Sequence, residues 1–588
     1  MFVVKDFLRA AASQTCAVLW YLVCFFSTID TGLFVYPSLS QTLLGGFCLV
    51  VLFMWGTCYG LSQKAGISIN GVCILVFFWC IYLLFHSILI AEAEDYKLTY
   101  LLVSLLFLLA MRQMLQNGSL TFQQLENGIL FMLVCQLTGL LLQAAGLMSS
   151  YSTFFPLTGF NENPNVTAIT IAVCIPIVFD RLKTSEHPYF FMMLFIVSVI
   201  FFFILGCRTA YIGLAIIIVV RISFSDKIQG GVCRINKKKV WYMGTFLLLL
   251  LVLVAIALYK IKEDSSDGRL LIWKISTEML TSHPQGWGIG MFEHHYNLCQ
   301  SEYFSKGVST KTEEMLAGVV YMAYNDYLEH GVEAGIVGML FLSLFYIALA
   351  FKAYKERKIV ALSIICAAIA MSLVNFIYAA IQPWLILLCY SSYVMNSEGK
   401  DIVVRKGLST GSHIATLVIC ILLMRTYTEK ILAQMSLKQY EGKYTREEVI
   451  KVEEVETLSN HIGTSEAYWR FLGKLYYRIG DYKKALNNNQ KASCYSADPS
   501  VFFSIFDCYD KIGETEKGLG YLYLVKNMIP QNLTSRMLLM QWYDHCGQKE
   551  KACDMAHEIS EIPVKVRTKK SDAIQNFARR YLIKQQKQ

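Results

Sequence analysis

Between Ala10 and Leu423 the chain is a succession of apolar runs closed off by short polar breaks. Each run is about 20 residues long, which as a single α-helix spans the hydrocarbon core of a bilayer. Lipid offers the backbone no hydrogen-bond partners, so each run must satisfy its own amides and carbonyls, and a helix does this within one segment. Thirteen runs begin near Ala10, Leu43, Ile67, Tyr96, Gly128, Val166, Tyr189, Thr209, Val240, Ala334, Ile359, Pro383 and Leu408; those at Tyr96, Val166, Thr209 and Pro383 are short. The chain therefore reads as an all-α, polytopic transmembrane helix bundle of 12 or 13 helices.

Composition agrees with lipid as the solvent, because only 16% of the residues are charged, against about 25% in soluble domains. The net charge of +9 does not point to nucleic acid, since the excess Lys and Arg sits largely in short loops, where it sets orientation. With the N-terminus in the cytoplasm, 19 Lys and Arg fall in inward-facing segments, from Lys5 and Arg9 through Lys237, Lys238 and Lys239 to Arg405 and Lys406. The short outer loops hold only Lys97 and Arg208. This segregation places residues 261–333 and the C-terminal region outside the cytoplasm. The first apolar run lacks a cleavage site and reads as the first helix of the bundle. The 18 cysteines lie mostly inside apolar runs, as Cys48, Cys135 and Cys174 do, where they act as small hydrophobes. Their spacing suggests neither a metal site nor a disulfide framework.

After Thr426 the sequence becomes polar and repeats itself. Ile479-Gly480-Asp481-Tyr482-Lys483-Lys484-Ala485 recurs as Ile512-Gly513-Glu514-Thr515-Glu516-Lys517-Gly518, and less closely as Cys546-Gly547-Gln548-Lys549-Glu550-Lys551-Ala552. With Trp469, Leu472, Gly473 and Tyr476 ahead of the first copy, the spacing resembles a tetratricopeptide repeat (TPR). About three such helix pairs can stack into a small α-solenoid, each hiding one apolar face against the next. The expected organisation is a membrane domain over 1–425 that includes the loop 261–333, a linker or partial repeat over 426–465, and an extracytoplasmic TPR-like domain over 466–588. Such a domain implies a protein partner, or else a structural appendage.

The loop 261–333 carries three marked pieces. They are Asp267-Gly268-Arg269 with Trp273 following, the run Pro284-Gln285-Gly286-Trp287-Gly288-Ile289-Gly290-Met291-Phe292, and Tyr324-Asn325-Asp326-Tyr327-Leu328 leading into Glu333-Ala334-Gly335 and Gly338. Taken singly, the glycines fit an ordinary turn and a lone Arg fits a solvated anchor. In this order they resemble the signature loop of the O-antigen ligase and polymerase superfamily, which includes protein O-oligosaccharyltransferases. Gly159-Phe160-Asn161-Glu162-Asn163-Pro164-Asn165 and the turn Cys207-Arg208-Thr209-Ala210 agree with that resemblance.

The resemblance implies a glycosyltransferase of the GT-C type in the bacterial inner membrane. Such an enzyme takes a glycan from an undecaprenyl diphosphate carrier, inverts the sugar linkage, and uses neither metal nor cofactor. The acceptor would be lipid A core or a protein, in a ligase or an oligosaccharyltransferase; a polymerase is the alternative within the class. A transporter or flippase of lipid-linked glycans is the alternative outside it, although the two related halves common in transporters are not evident. Arg208 and Arg269 are the expected donor contacts, because a guanidinium neutralises a diphosphate bidentately and stays charged. Asn325 and Asn165 are further substrate-binding candidates. Where the family usually carries His this chain has Tyr324, and a phenol with a reference pKa near 10 is a poor base at neutral pH. Read as one helix, Met322–Gly338 puts Tyr324 on the face of Tyr327, Leu328, Gly331 and Gly335, with His330 roughly 120° away. His294, His295 and His330 are the remaining candidates for a base, with Tyr324 and Asn325 positioning the acceptor.

The charge segregation fixes an orientation that can be checked directly. A reporter active only in the cytoplasm, fused after Gln588, should stay silent; a strong signal would invert the topology.

Overall fold

The computed structural model describes residues 2–64, 66–90, 95–225, 263–396, 401–564 and 567–586. Helices α1 (Phe2–Phe26), α2 (Pro37–Ser62), α3 (Gly71–Ile90), α4 (Asp95–Asn117), α5 (Phe122–Ala144), α6 (Pro164–Thr184), α7 (Pro188–Leu205) and α8 (Arg208–Ser225) occupy the first eight expected positions. The loop contributes α9 (Glu263–Ser282), α10 (Phe292–Ser305) and α11 (Lys311–Leu316). The bundle then resumes with α12 (Asp326–Lys355), α13 (Ile359–Ser372), α14 (Ile381–Met395) and α15 (Lys406–Thr445). The run expected near Val240 lies outside the described residues. Among the described residues, eight helices are long and apolar enough to cross a membrane. Large apolar side chains face outward along them, with Leu89 80% and Phe351 67% exposed. A chain presenting such surface belongs in lipid, and this is a multi-pass membrane protein.

Helix starts follow local chemistry. Pro at the first turn, where an amide has no intrahelical partner anyway, opens α2, α6 and α7. A capping box of Thr121 with Gln124 opens α5. Asn325 caps α12, its side chain accepting from the Tyr327 and Leu328 amides. The expected single helix over Met322–Gly338 is thus corrected at both ends. Tyr324 lies outside it with φ 51°, and at Gly335 the backbone leaves helical geometry at φ 72°, ψ 178°.

The break at Gly335 is filled by the glycine-rich turn of the loop. Trp287 N–H donates to the Val332 carbonyl (2.8 Å), Gly288 N–H to that of Glu333 (3.0 Å), and Ile336 N–H to that of Pro284 (2.9 Å). From α3, Tyr82 Oη donates to the Ala334 carbonyl at 2.5 Å, and His86 Nε2 lies 2.8 Å from the Gln285 oxygen. The interrupted helix therefore keeps its backbone groups satisfied inside protein, the condition under which irregular backbone survives next to lipid. A Cβ on Gly286 would lie 2.5 Å from the Gly335 nitrogen, and one on Gly335 would lie 2.6 Å from the Gln285 carbonyl carbon.

At the opposite end of α4 from Lys97, a two-residue ladder pairs Ser68 with Val403 and Ile69 with Ile402. There the buried Arg112 pairs with Asp401 at 2.5 Å.

Helix α15 is 40 residues long and runs through position 425 without a break. Beyond it stand the short α16 (Val452–Glu456) and α17 (Ser459–Ile462), then three helix pairs: α18 (Glu466–Arg478) with α19 (Tyr482–Ser493), α20 (Pro499–Ile512) with α21 (Thr515–Met528), and α22 (Leu533–His545) with α23 (Lys549–Glu561). A last helix, α24 (Lys569–Gln586), closes the series. The three repeated glycines, Gly480, Gly513 and Gly547, sit at the turn inside each pair with φ of 85°, 84° and 72°. Only glycine adopts that conformation without steric cost.

The C-terminal helices pack on the loop. Gln300 Nε2 donates to the Met528 carbonyl (2.8 Å), Ser301 Oγ to that of Leu524 (2.9 Å), and Tyr321 Oη to Asp498 (3.3 Å). Glu293, on the first turn of α10, is hydrogen-bonded to Ser496 and Ala497 in that contact; burial pushes its carboxyl up to about 7 from the ordinary 4.5.

Two outcomes follow. Gly335→Ala or Gly286→Ala should destabilise the bundle by on the order of 3 kcal/mol, through forbidden backbone geometry and direct overlap, read as a lower melting temperature in detergent; an unchanged melt would show the contact to be dispensable. Glu293 binds its proton more tightly when docked than when free, so stability should fall as pH rises from about 4.5 to 7. Glu293→Gln should flatten that slope, measured by the melt at several pH values.

Candidate functional site

The left-handed Gly206 (φ 58°) ends α7, and two residues later Arg208 opens α8. Arg208 Nη1 donates to Ser266 Oγ on α9 at 3.1 Å. Nearly one turn further along α9, Arg269 Nη1 donates to the Val374 carbonyl at 2.7 Å. Its guanidinium lies 5.0 Å above the Tyr324 ring, a cation–π contact. Burial, and then the neighbouring Arg208 charge, pull the Arg269 guanidinium below its ordinary value, although Arg remains a cation in proteins. The expected pair Arg208 and Arg269 is thus brought together with Tyr324. Two cations held this close repel, and an anion placed against them relieves the repulsion.

Burial raises the Tyr324 phenol above 10, with Arg269 partly offsetting it, so it is neutral near pH 7 and has a proton to donate. Its left-handed backbone is unusual for a bulky residue and is held from two directions. Trp273 Nε1 on α9 donates to the Ala323 carbonyl at 3.0 Å, and Asn325 caps the helix that follows.

Asp326 is fully buried and accepts from Ser372 Oγ (2.6 Å) and the Ile377 and Tyr378 amides (2.8 and 3.3 Å). It pins the segment that supplies the Val374 carbonyl to Arg269 and sets Phe376 5.9 Å from the Tyr324 ring. Asn375 Nδ2 ties the same segment to Thr209 at 3.2 Å. These contacts give Asp326 a positioning role.

A second charged group lies behind Tyr324. Lys97 Nζ sits 2.7 Å from Glu329 and 2.6 Å from Glu333, both on α12. The other oxygen of Glu329 accepts from the Ala323 amide at 2.9 Å. The Ala323 peptide therefore links the two groups, its carbonyl toward α9 and its N–H toward the carboxylates. Sequence reading missed this triad. The available signal was Glu329 and Glu333 one turn apart at the head of an apolar helix, with Lys97 at the edge of another, because charges at such positions are costly unless paired.

The expected histidines do not join the arginines. His330 is 1% exposed; its Nε2 accepts from Trp79 Nε1 at 3.3 Å and its ring packs edge-on to Tyr378. It thus faces the bundle interior, against Trp79 of α3. His295 packs on Trp287, with ring centres 4.7 Å apart, and Trp287 donates to the Met279 carbonyl. Met279 lies ten residues along α9 from Arg269, about 15 Å at the helical rise. His294, held down to about 4 by burial and then by His295, is a weak base near pH 7. Asn325 adjoins Tyr324, with its side-chain oxygen engaged in capping. Asn165 sits on the first turn of α6, half-buried. In that region Asn161 makes the cross-bundle contact, with Nδ2 3.1 Å from Gln382 Oε1.

Comparison with curated proteins gives no match. Residues 193–343 match the family model for O-antigen ligase, an interval that contains Arg208, Arg269, Tyr324 and both partners of Lys97. Over residues 193–343 the chain thus carries the O-antigen ligase match of that superfamily.

Proposed function

We propose that the chain transfers a glycan from an undecaprenyl diphosphate carrier to an acceptor on the extracytoplasmic side, as an O-antigen ligase or a protein O-oligosaccharyltransferase. The observation that carries this reading is the convergence of Arg208 and Arg269 on one spot beside a neutral Tyr324, at one end of a membrane bundle. The coarser assignment, a ligase- or polymerase-type membrane glycosyltransferase, comes with the superfamily.

In this reading the acceptor oxygen forms a bond to the anomeric carbon as that carbon's bond to the diphosphate oxygen breaks. Negative charge grows on the departing diphosphate, where two preorganised, half-buried guanidiniums stabilise it. Tyr324, protonated, orients the acceptor oxygen or a diphosphate oxygen through its hydroxyl. The acceptor proton ends on the departing diphosphate, which avoids a histidine base. The displacement of His330 from the arginines and the low basicity of His294 support this assignment. The C-terminal helices, read as a TPR-like domain, would guide the acceptor or a partner toward the same end.

Arg208→Ala and Arg269→Ala should each lower turnover on the order of a hundredfold or more, as removal of a preorganised donor does, while Lys at either position should restore only part of it. Tyr324→Phe should slow transfer without adding a titration near the His range. The measurement is glycan transfer in membranes containing equal amounts of each protein. Parental rates in both Ala variants would place the site elsewhere.

A further inference from the structure

A cavity of about 390 Å³ opens where the bundle, the loop and the C-terminal helices meet, within the range of roughly 300–1,000 Å³ common for small-ligand sites. Its wall is continuous with the proposed transfer site, because the segment Tyr321–Asn325 has Tyr321 and Met322 lining the cavity and Tyr324 under Arg269. Four carboxylates line it, Glu293 from the loop, Glu329 and Glu333 from α12, and Glu466 from α18, against the single ammonium of Lys97. Lys97 is already engaged by two of them, and Glu466 is paired at 2.9 Å with Arg470. The lining is therefore rich in hydrogen-bond acceptors; with Glu293 partly protonated near pH 7 and Glu466 paired, its excess negative charge comes from Glu329 and Glu333 sharing one ammonium.

An independent observation points to a ligand. Gln434 of α15 lines the same cavity and is 1% exposed. Its Nε2 donates to Tyr96 Oη at 2.6 Å, but its Oε1 has no hydrogen-bond partner among the described residues. A buried acceptor left without a donor is costly, and a donor-bearing ligand in the cavity would remove that cost.

We propose that this cavity is the acceptor subsite and that it takes a neutral or amino-substituted sugar. The proposal rests on the glycan-transfer reading and narrows its acceptor. Sugar hydroxyls and an ammonium are donors, and they suit carboxylates and the free Gln434 oxygen, with charge-assisted bonds the stronger ones. Tyr36 and Tyr321 in the wall offer rings to the apolar C–H face of a pyranose. An extended peptide is a poorer fit, because its backbone presents equal numbers of donors and acceptors. A phosphorylated sugar is disfavoured by repulsion from Glu329 and Glu333. Because Glu466 and its neighbours Ser465 and Ala467 belong to α18 and the turn before it, the C-terminal helices complete the subsite rather than only recruiting a partner.

The test uses the full-length protein in nanodiscs without donor, probed by saturation-transfer NMR with methyl glucoside, methyl glucosaminide, glucose 6-phosphate and a Ser/Thr-rich peptide. The two glycosides should bind, and Gln434→Ala and Glu466→Gln should each weaken them about tenfold. In transfer assays the same variants should raise the acceptor KM about tenfold with kcat and donor KM held. Binding of glucose 6-phosphate or the peptide at least as strong as the glycosides would overturn the proposal, as would variants that lower kcat and leave acceptor KM alone. If the glycosides bind as expected but the parent protein transfers no glycan, the transfer reading fails and the cavity stands only as a sugar-binding site. If transfer proceeds and neither variant alters acceptor KM, the subsite fails and the transfer reading stands.

Discussion

The contact between two glycines, Gly286 in the loop and Gly335 inside α12, is the constraint on which the rest of the structure depends. Neither position has room for a side-chain carbon, and around them backbone meets backbone through three hydrogen bonds. Because the broken helix borrows its missing partners from the loop, loop and bundle are fixed relative to each other. That fixes the register of Asp326, Glu329 and Glu333 on one side of the break, and the start of α10 on the other. The C-terminal helices then dock on α10, so their position is set through the same contact.

Around this anchor, charge is sorted to the two faces of one short segment. Arg208 and Arg269 lie on one face of Tyr321–Asn325, and the carboxylates partnered by Lys97 lie on the other, joined through the Ala323 peptide. The cationic face suits a diphosphate and the anionic face suits a donor-rich acceptor. Under the proposed function, this separation keeps donor and acceptor apart until they meet at Tyr324. The pinned carboxylate of Asp326 and the cap by Asn325 hold the segment in a strained backbone that a free loop would leave.

Much of this was legible in residues. The apolar runs predicted the helices, Gly480, Gly513 and Gly547 marked the turns inside the C-terminal pairs, and the order of Arg208, Arg269 and the glycine turn pointed to the family. Other parts were not legible. Tyr324 read as the first turn of a helix because helical periodicity does not register that Asn325 can cap a helix beginning one residue later. His330 read as a candidate base because sequence spacing does not say which side of a broken helix faces Trp79. Lys97 read as a loop charge because its two partners are more than 200 residues away.

The sequence by itself determined that this chain lies in a membrane, since no other solvent accepts so many 20-residue apolar runs, and that its C-terminal part is helical and repeating. Motif order placed it among glycan-transferring membrane proteins. Only the tertiary structure decided which charges share a site, which histidines are buried in the bundle, and that the C-terminal helices wall a cavity beside Tyr324. The physical reason is that secondary structure and lipid burial are set by neighbours within a turn or two, whereas a site is made by contacts between distant segments. Here those contacts exist because two glycines allow a loop to enter a helix.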